Sequence, residues 1–564
     1  MHKLHMAWDR IARIEGGTAR PISPATPPRP LHIPHRPLRW ARRNVLPKAR
    51  VSLQAPSMRT LSVFLSCAAL ACVSEHGPLT NRMAQSGTHY LTRAARQPVS
   101  WQPWGREAFA LAARLDRPVL LYVGADECRW CAVMDREVYG DPALGAMIDS
   151  LFVPVRVDRD ERPDVARRYE AAVQWLAGLR GYPVTAFLTP DGSAFFGGTY
   201  FPADDPVTGR GLKQLLPEVA KSYREQRGVI LQRAALVRQL AVTHAQRARG
   251  VLQRATVGSQ VAGVRTTFQA AAGTHAALGS FMHTQAVSLL LATYGRTGDT
   301  SYLNAARTVL DFMVDSGEAA TADVARDDPP SLVRAGLVRN LAVGWALTGT
   351  PRYRDAARLV LQRLARELGP AADATVFADR EAYVIGSVLE AAPAVGDSAV
   401  ARRALSALDG LLRRAYARRR GVRHTSGGAG VYGLLQDQVQ LAGACLAAYG
   451  YNGRRRYVDV AQDLVEVLDR DFADSIGGGY FDAVLTDPAA PALPDRAKPV
   501  LDDLLPGANA WAARVLLQLA DATGDARYRR RAEATLEAFA GALAGEGVRA
   551  SSYLLAAQHV LAAR

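Results

Sequence analysis

The sequence predicts a mixed α/β domain followed by an all-α array of helical hairpins, and three observations carry that expectation. An apolar run rich in β-formers, 118–123, breaks at Gly124-Ala125-Asp126-Glu127 and passes at once into Cys128-Arg129-Trp130-Cys131. Trp130, Val133, Met134 and Val138 then recur at helical spacing, so a buried strand gives way to a helix at the cysteine pair. Beyond about residue 263 strand signals nearly vanish and a glycine–tyrosine–alanine repeat takes over. Ahead of both lies a proline- and arginine-rich stretch without apolar periodicity.

That leader, 1–57, holds eleven Lys and Arg against two Asp and Glu, out of a formal net charge of +16 for the whole chain of 564 residues. Its composition is that of a disordered segment. Because the basic excess sits mostly there, polyanion binding by the folded part is not favoured, and no nucleic-acid partner is expected. Residues 58–72 change character abruptly: a short basic start, an apolar core, then small residues before Cys72, as in a secretory signal. The segment is too short to span a bilayer as a helix. Ala69-Leu70-Ala71-Cys72 has the form of a bacterial lipoprotein cleavage box, with Ala69 where leucine is commoner. If the signal is real, Cys72 carries lipid and the protein sits at the cell envelope, periplasmic or lipid-anchored, touching membrane only through that anchor. Otherwise the stretch is an apolar segment of a cytoplasmic protein.

At the α/β domain the placement of Cys128 dictates its chemistry. The first turn of a helix offers unpaired N–H groups and the positive end of the macrodipole, and Arg129 adds a cation, so the Cys128 thiol is expected below its free value of about 8.5. Asp126 and Glu127 pull the other way. Cys131, three residues on, shares the helical face and can resolve a mixed disulfide formed at Cys128. An unreactive remnant and half of a zinc site are the alternatives. Zinc normally takes four ligands, no second Cys-x-x-Cys exists, and His89 lacks a partner at ligand spacing; no metal and no cofactor are expected. Cys445, alone in an apolar helical run, belongs to a core. A carboxylate in the strand before the cysteines, which could accept a proton, is missing; Tyr122 stands there.

Further along, Asp141-Pro142 opens a helix over 143–151, followed by a strand at 152–157 and a helix at 163–179. Gly181-Tyr182-Pro183 precedes a strand at 184–188, and a proline opening a strand is a candidate cis bond. Gly192-Ser193 turns into a last strand at 194–196, making a hairpin. The basic and apolar tract 211–250 is helical, most simply a connector. In the C-terminal part Gly298, Gly349, Gly453 and Gly524 are each followed by a tyrosine and then an alanine four residues on: Tyr302 and Ala306, Tyr353 and Ala357, Tyr457 and Ala461, Tyr528 and Ala532. Gly396-Asp397 is a weaker copy. A helix ends at each glycine, a polar residue caps the next, and the tyrosine and alanine share a face. Such hairpins pack side by side, as a closed ring or an open solenoid.

Five motifs occur in order: Cys128-Arg129-Trp130-Cys131-Ala132-Val133-Met134, Val157-Asp158-Arg159-Asp160-Glu161-Arg162-Pro163-Asp164, Gly181-Tyr182-Pro183, Phe187-Leu188-Thr189-Pro190-Asp191-Gly192, and Phe195-Phe196-Gly197-Gly198-Thr199-Tyr200-Phe201-Pro202. With Asn81-Arg82-Met83-Ala84-Gln85 and Pro98-Val99-Ser100-Trp101-Gln102-Pro103-Trp104-Gly105 before them, they resemble the thioredoxin-like domain of the spermatogenesis-associated protein 20 family. The resemblance implies that Pro183 is a cis-proline set against the cysteine pair, and that the hairpins close into a six-hairpin (α/α) toroid like those of glycosidases and sugar epimerases. The family usually reads Cys-His-Trp-Cys-His; Arg129 and Ala132 replace both histidines here. Its Gly-Gly-Gly-Phe and His-Phe-Glu-Lys segments, expected after about Met313, are not recognisable.

The resemblance implies a toroid cavity at Leu435-Gln436-Asp437-Gln438 with Gly477-Gly478-Gly479-Tyr480-Phe481-Asp482, and at Asp502-Asp503-Leu504-Leu505-Pro506-Gly507-Ala508-Asn509. Asp437, Asp482, Asp502 and Asn509 are its candidate residues, with Glu381 and His424 as outsiders. A glycosidase needs two carboxylates facing each other across a sugar; each of these also has a plain role as a cap or anchor. The expected organisation is a leader at 1–57, a signal-like segment at 58–72, a thioredoxin-like domain at 81–225, a helical connector at 226–262 and the toroid at 263–564. The expected function is thiol–disulfide exchange or redox sensing, with Cys128 attacking, Cys131 resolving, and protein thiols or disulfides or a redox partner as the other party. Alternatives are a carbohydrate-active toroid with a vestigial redox domain, which would bind a sugar, and a non-enzymatic envelope binding protein or scaffold.

Overall fold

The computed structural model describes residues 79–563, apart from internal stretches at 206, 208–210, 247–248, 271–280, 316–329, 370–374, 426–430 and 485–495. The leader, the signal-like segment and Cys72 lie outside the described residues.

Five strands make one sheet: β1 (Gln102–Pro103), β2 (Val119–Gly124), β3 (Val153–Asp158), β4 (Val184–Leu188) and β5 (Ala194–Gly198), in the order β1-β3-β2-β4-β5. β3 runs parallel to both β1 and β2, whereas β4 is antiparallel to β2 and β5 to β4. Side chains alternate between the two faces of a strand, so an apolar run such as β2 must be covered twice. Leu120 and Tyr122 pack with residues of α1 (His89–Arg93), α3 (Arg129–Glu137), α4 (Pro142–Leu151) and α6 (Leu212–Glu225). Val119, Leu121 and Val123 pack with α2 (Arg106–Leu115) and α5 (Pro163–Ala177) on the opposite face. This is a thioredoxin-like α/β layer. The tract read as one helical connector divides: α6 ends at Glu225 and α7 spans Arg227–Gln246.

The helical part is a closed ring. Its inner helices are α9 (Phe281–Thr297), α11 (Pro330–Thr348), α13 (Ala378–Ala394), α15 (Leu435–Asn452), α17 (Ala508–Thr523) and α19 (Ser551–Ala562). Each packs on the next, and α19 packs on α9. The outer helices α10 (Thr300–Asp315), α12 (Pro351–Glu367), α14 (Ser398–Ala415), α16 (Arg455–Val467) and α18 (Ala526–Glu537) each follow their inner partner. The sixth outer position is filled by α8 (Arg254–Ala270), which packs on α19 and so ties the start of the ring to its end. The ring thus begins inside the stretch expected to be connector, because Val257, Val261, Val264 and Phe268 form a buried stripe at helical spacing. Inner helices are flanked on every side, and from Leu435 to Ala448 every residue of α15 is buried.

The repeat has a local cause. Gly298, Gly349, Gly453 and Gly524 take φ of 74°, 68°, 67° and 74°, the left-handed conformation that ends a helix without a Cβ penalty. Two of the following tyrosines reach back to the neighbouring outer helix: Tyr353 donates to Asp311 at 2.6 Å and Tyr457 to Asp409 at 3.0 Å. Thr80–Arg564 form one compact unit, in which the α/β layer and the ring are packed together. Among the described residues no helix is long and apolar enough to cross a membrane.

Candidate redox site

Cys128 is the N-cap of α3, and its Sγ accepts the Cys131 N–H at 3.2 Å. The strand-to-helix junction therefore puts a sulfur where an orphan backbone donor needs a partner. The two sulfurs are joined as a disulfide. Cys128 retains 7% exposure while Cys131 has 0%. Tyr182-Pro183 is cis, and Tyr182 packs against Ala125, Cys128 and Cys131. Trp130, between the cysteines, is half exposed and leans on Tyr200 at 5.0 Å between ring centroids. Of the flanking acids, Asp126 pairs with Arg93. Glu127 is raised above its ordinary range by burial, which outweighs the Arg380 and Arg159 guanidinium groups.

Behind the pair lies a buried aromatic and charged layer. The Arg156 guanidinium stacks over Tyr90, Tyr122 and Trp101 at 4.4, 5.1 and 5.6 Å and pairs with Asp135 at 2.7 Å. Tyr122, standing where a carboxylate was expected, donates its hydroxyl to the Cys131 carbonyl at 3.4 Å. A carboxylate does exist one strand over. Asp158 lies opposite Gly124 in the β2–β3 register, and burial together with the neighbouring Asp160 charge raises it to about 7.

The segment after β3 carries the site onto the ring. Asp160 is held by Arg159 and by Arg380 of α13, and its backbone carbonyl lies 2.7 Å from His424 Nε2. His424 Nδ1 lies 2.8 Å from Asp437 Oδ1, with Asp379 at 3.9 Å. Both ring nitrogens lie within hydrogen-bonding distance of oxygens, an arrangement that an imidazolium satisfies by donating from both. Burial pulls His424 down, but the carboxylates of Asp437 and Asp379 outweigh it and push it up to about 10. Burial outweighs the His424 charge at Asp437 and raises that carboxyl; the two acceptors make the histidine cation the firmer assignment. Asp379, His424 and Asp437 are close enough to hold a metal ion, yet both imidazole nitrogens are already spent on hydrogen bonds. Between the layers a cleft of about 610 Å³, counting its open mouth, is lined by Arg159, Arg167, Tyr182, Arg380, Asp503 and neighbouring residues.

The four toroid candidates do not gather around that cleft. Asp437 is spent on His424. Asp482 faces Arg167 of α5 at 3.7 Å, and burial raises it to about 6 against that cation. Asp502 accepts the N–H groups of Gly507 at 3.0 Å and Ser552 at 2.9 Å; burial raises it to about 6. Asn509 accepts from Tyr480 N–H at 2.7 Å and donates to the Tyr480 and Pro499 carbonyls. Glu381, the remaining outsider, pairs with Arg414 at 2.8 Å. On the inner helices, Glu390 sits between Arg339 and Arg514 at 2.7 Å from each, and Gln285 reaches Tyr383 at 3.0 Å. Buried acids with backbone or cation partners are what a ring needs to satisfy its loops and helix ends.

Sequence reasoning missed Tyr90, Arg156, Asp158 and the Asp160–His424 link. One signal was available: six of the seven residues from Asp158 to Asp164 are charged, at the end of a strand in which Arg156 is the one other charged residue, and the carboxyl ends of strands are where α/β sheets place ligands.

Residues 80–241 match the family Thioredox_DsbH, described as a protein of unknown function, DUF255. Spermatogenesis-associated protein 20 of Homo sapiens is 36% identical over 157 residues, covering 28% of this chain and 20% of that protein. The thioredoxin-like part of this chain is thus similar to that of spermatogenesis-associated protein 20. An uncharacterized protein of Caenorhabditis elegans is 38% identical over 157 residues, 28% of this chain and 22% of its own length. The matched segment thus spans about a fifth of these family relatives. Outside the family, the unsaturated glucuronyl hydrolase of Bacillus sp. GL1 superposes with a TM-score of 0.41 at 15% identity, over 54% of this chain and 95% of that one. The alpha-1,6-mannanase GH76A of Salegentibacter sp. HEL1_6 does so with a TM-score of 0.39 at 14% identity, over 54% and 99%.

Proposed function

We propose that this protein carries out, or senses redox state through, thiol–disulfide exchange at Cys128 and Cys131, with protein thiols or disulfides as the other party. The observation that supports it is the unequal placement of the two sulfurs: one at a helix N-terminus with a trace of exposure, the other sealed behind it. In the reducing direction the Cys128 thiolate attacks a substrate disulfide, one substrate sulfur leaves as a thiolate, and Cys131 then displaces the other. The ring, seated against the segment after β3, narrows the approach to Tyr182 and in this proposal selects what reaches the sulfur. Action on a sugar would need Asp437, Asp482 or Asp502 free of protein partners, and each is committed to one. With Cys72 lipid-modified, exchange would take place at the cell envelope.

The test compares Cys128→Ser with Cys131→Ser in the full chain, using reduction of a disulfide-bonded protein. Cys131→Ser should accumulate a mixed disulfide at Cys128, and Cys128→Ser should lose exchange altogether. Full activity in Cys128→Ser would overturn the proposal.

A further inference from the structure

Gly124 ends β2 directly beneath the disulfide, and what surrounds its missing side chain is informative. A Cβ built there would lie 2.0 Å from the Tyr90 hydroxyl and 3.2 Å from Cys131 Sγ. Oxygen and sulfur therefore face each other across the glycine, no farther apart than those two distances combined. Tyr90 comes from α1, far in sequence from the cysteines, and is 2% exposed. Its hydroxyl makes no well-formed hydrogen bond, the Tyr122 hydroxyl being close enough to act on it without completing one, an expensive condition for a buried polar group.

We propose that the Tyr90 hydroxyl is the internal hydrogen-bond donor to the Cys131 sulfur in the reduced protein, stabilising the thiolate that resolves the mixed disulfide. This rests on the exchange reaction proposed above. In the resolving step Cys131 gives up its proton, its sulfur bonds to Cys128 Sγ, and the Cys128–substrate bond breaks. The substrate sulfur leaves with that electron pair and takes up a proton. One S–S bond forms as one is lost. The developing charge on Cys131 is sealed from water, so a donor at that spot supplies what solvent cannot. Tyr90 keeps the proton it would donate: burial raises its phenol well above 10 against the pull of Arg156 and Tyr122, and Asp135 and Asp158 push the same way as burial. The other titratable groups around it are Tyr122, which already faces the Cys131 carbonyl, and Tyr139, whose phenol burial also raises. Gly124 is the one residue type that lets the oxygen and sulfur approach.

The experiment titrates Cys131 in the full chain carrying Cys128→Ser, by NMR of cysteine labelled with ¹³C at Cβ, with and without Tyr90→Phe. A hydrogen bond to a charged group is expected to move the thiol by about one pH unit or more, so Tyr90→Phe should raise the Cys131 pKa by that much. With both cysteines present it should slow resolution about threefold at pH 7, the tenfold loss of thiolate being partly offset by the greater nucleophilicity of the more basic sulfur. Tyr122→Phe should leave the thiol where it is. An unchanged Cys131 pKa in the Tyr90→Phe chain overturns the proposal. Should that variant fail to fold, a Cys131 pKa above the free value of about 8.5 in Cys128→Ser alone overturns it, since that is what burial without a donor gives. A thiol shift in a chain that shows no exchange would leave this inference standing and defeat the exchange reaction.

Discussion

Replacing His424 by leucine removes the cation that joins the ring to the redox layer. Asp437, fully buried, would lose its 2.8 Å partner, and the Asp160 carbonyl would lose its 2.7 Å donor. Breaking one side of a buried ion pair costs about 3–5 kcal/mol. The rise of the imidazole from 6.5 to about 10 corresponds to roughly 5 kcal/mol. Burial of Asp437 offsets part of that, so the expected loss at pH 7 is about 3–5 kcal/mol, read by urea unfolding of the full chain. A histidine whose folded pKa is raised stabilises fully below its unfolded value and less as pH climbs through the folded one. The penalty of His424→Leu should thus be full at pH 6 and shrink toward pH 10. The double variant His424→Leu/Asp437→Leu, which removes both charges, should recover most of the loss. A cost below about 1 kcal/mol for the single variant, or an equal cost for single and double variants, would refute an imidazolium latch.

Asp158, raised to about 7 in the folded protein, works with the opposite consequence. Its protonated form is favoured by folding, so its contribution is present at low pH and lost as pH rises from about 4 toward 7. Asp158→Asn should accordingly be more stable than the parent at pH 8, on the order of 2 kcal/mol, and thermal melts at pH 5 and pH 8 would show it; a less stable variant at pH 8 counts against a buried, strained charge. In the ring, Asp502→Ala leaves the Gly507 and Ser552 N–H groups without an acceptor and should cost about 2–4 kcal/mol in urea unfolding. Asp502→Asn, which keeps one acceptor oxygen, should cost less. If both variants fold with parental stability, the carboxylate is free for another task.

Much of this architecture is written in local pattern. The run 118–123 could only be a strand covered on both faces, and the cysteines after it could only open a helix, because apolar period and breaker residues are short-range signals. The hairpin repeat was equally legible: a glycine in the left-handed conformation, a cap, then a tyrosine four residues from an alanine. Two misjudged stretches have physical causes. The helix from Arg254 reads as connector because its buried stripe of Val257, Val261, Val264 and Phe268 finds its partner, α19, almost three hundred residues later. Asp437, Asp482, Asp502 and Asn509 look like a cavity because carboxylates near glycine runs look the same whether they await a ligand or receive a backbone N–H.

By itself the sequence determined that an α/β layer bearing a cysteine pair precedes a set of helical hairpins, since secondary structure follows from spacing along the chain. Only the tertiary structure decided which groups stand behind the second sulfur, that the ring closes through its first and last helices, and that His424 is a cation shared with Asp160. Those facts depend on contacts between residues tens to hundreds of positions apart, where burial sets both protonation and partner.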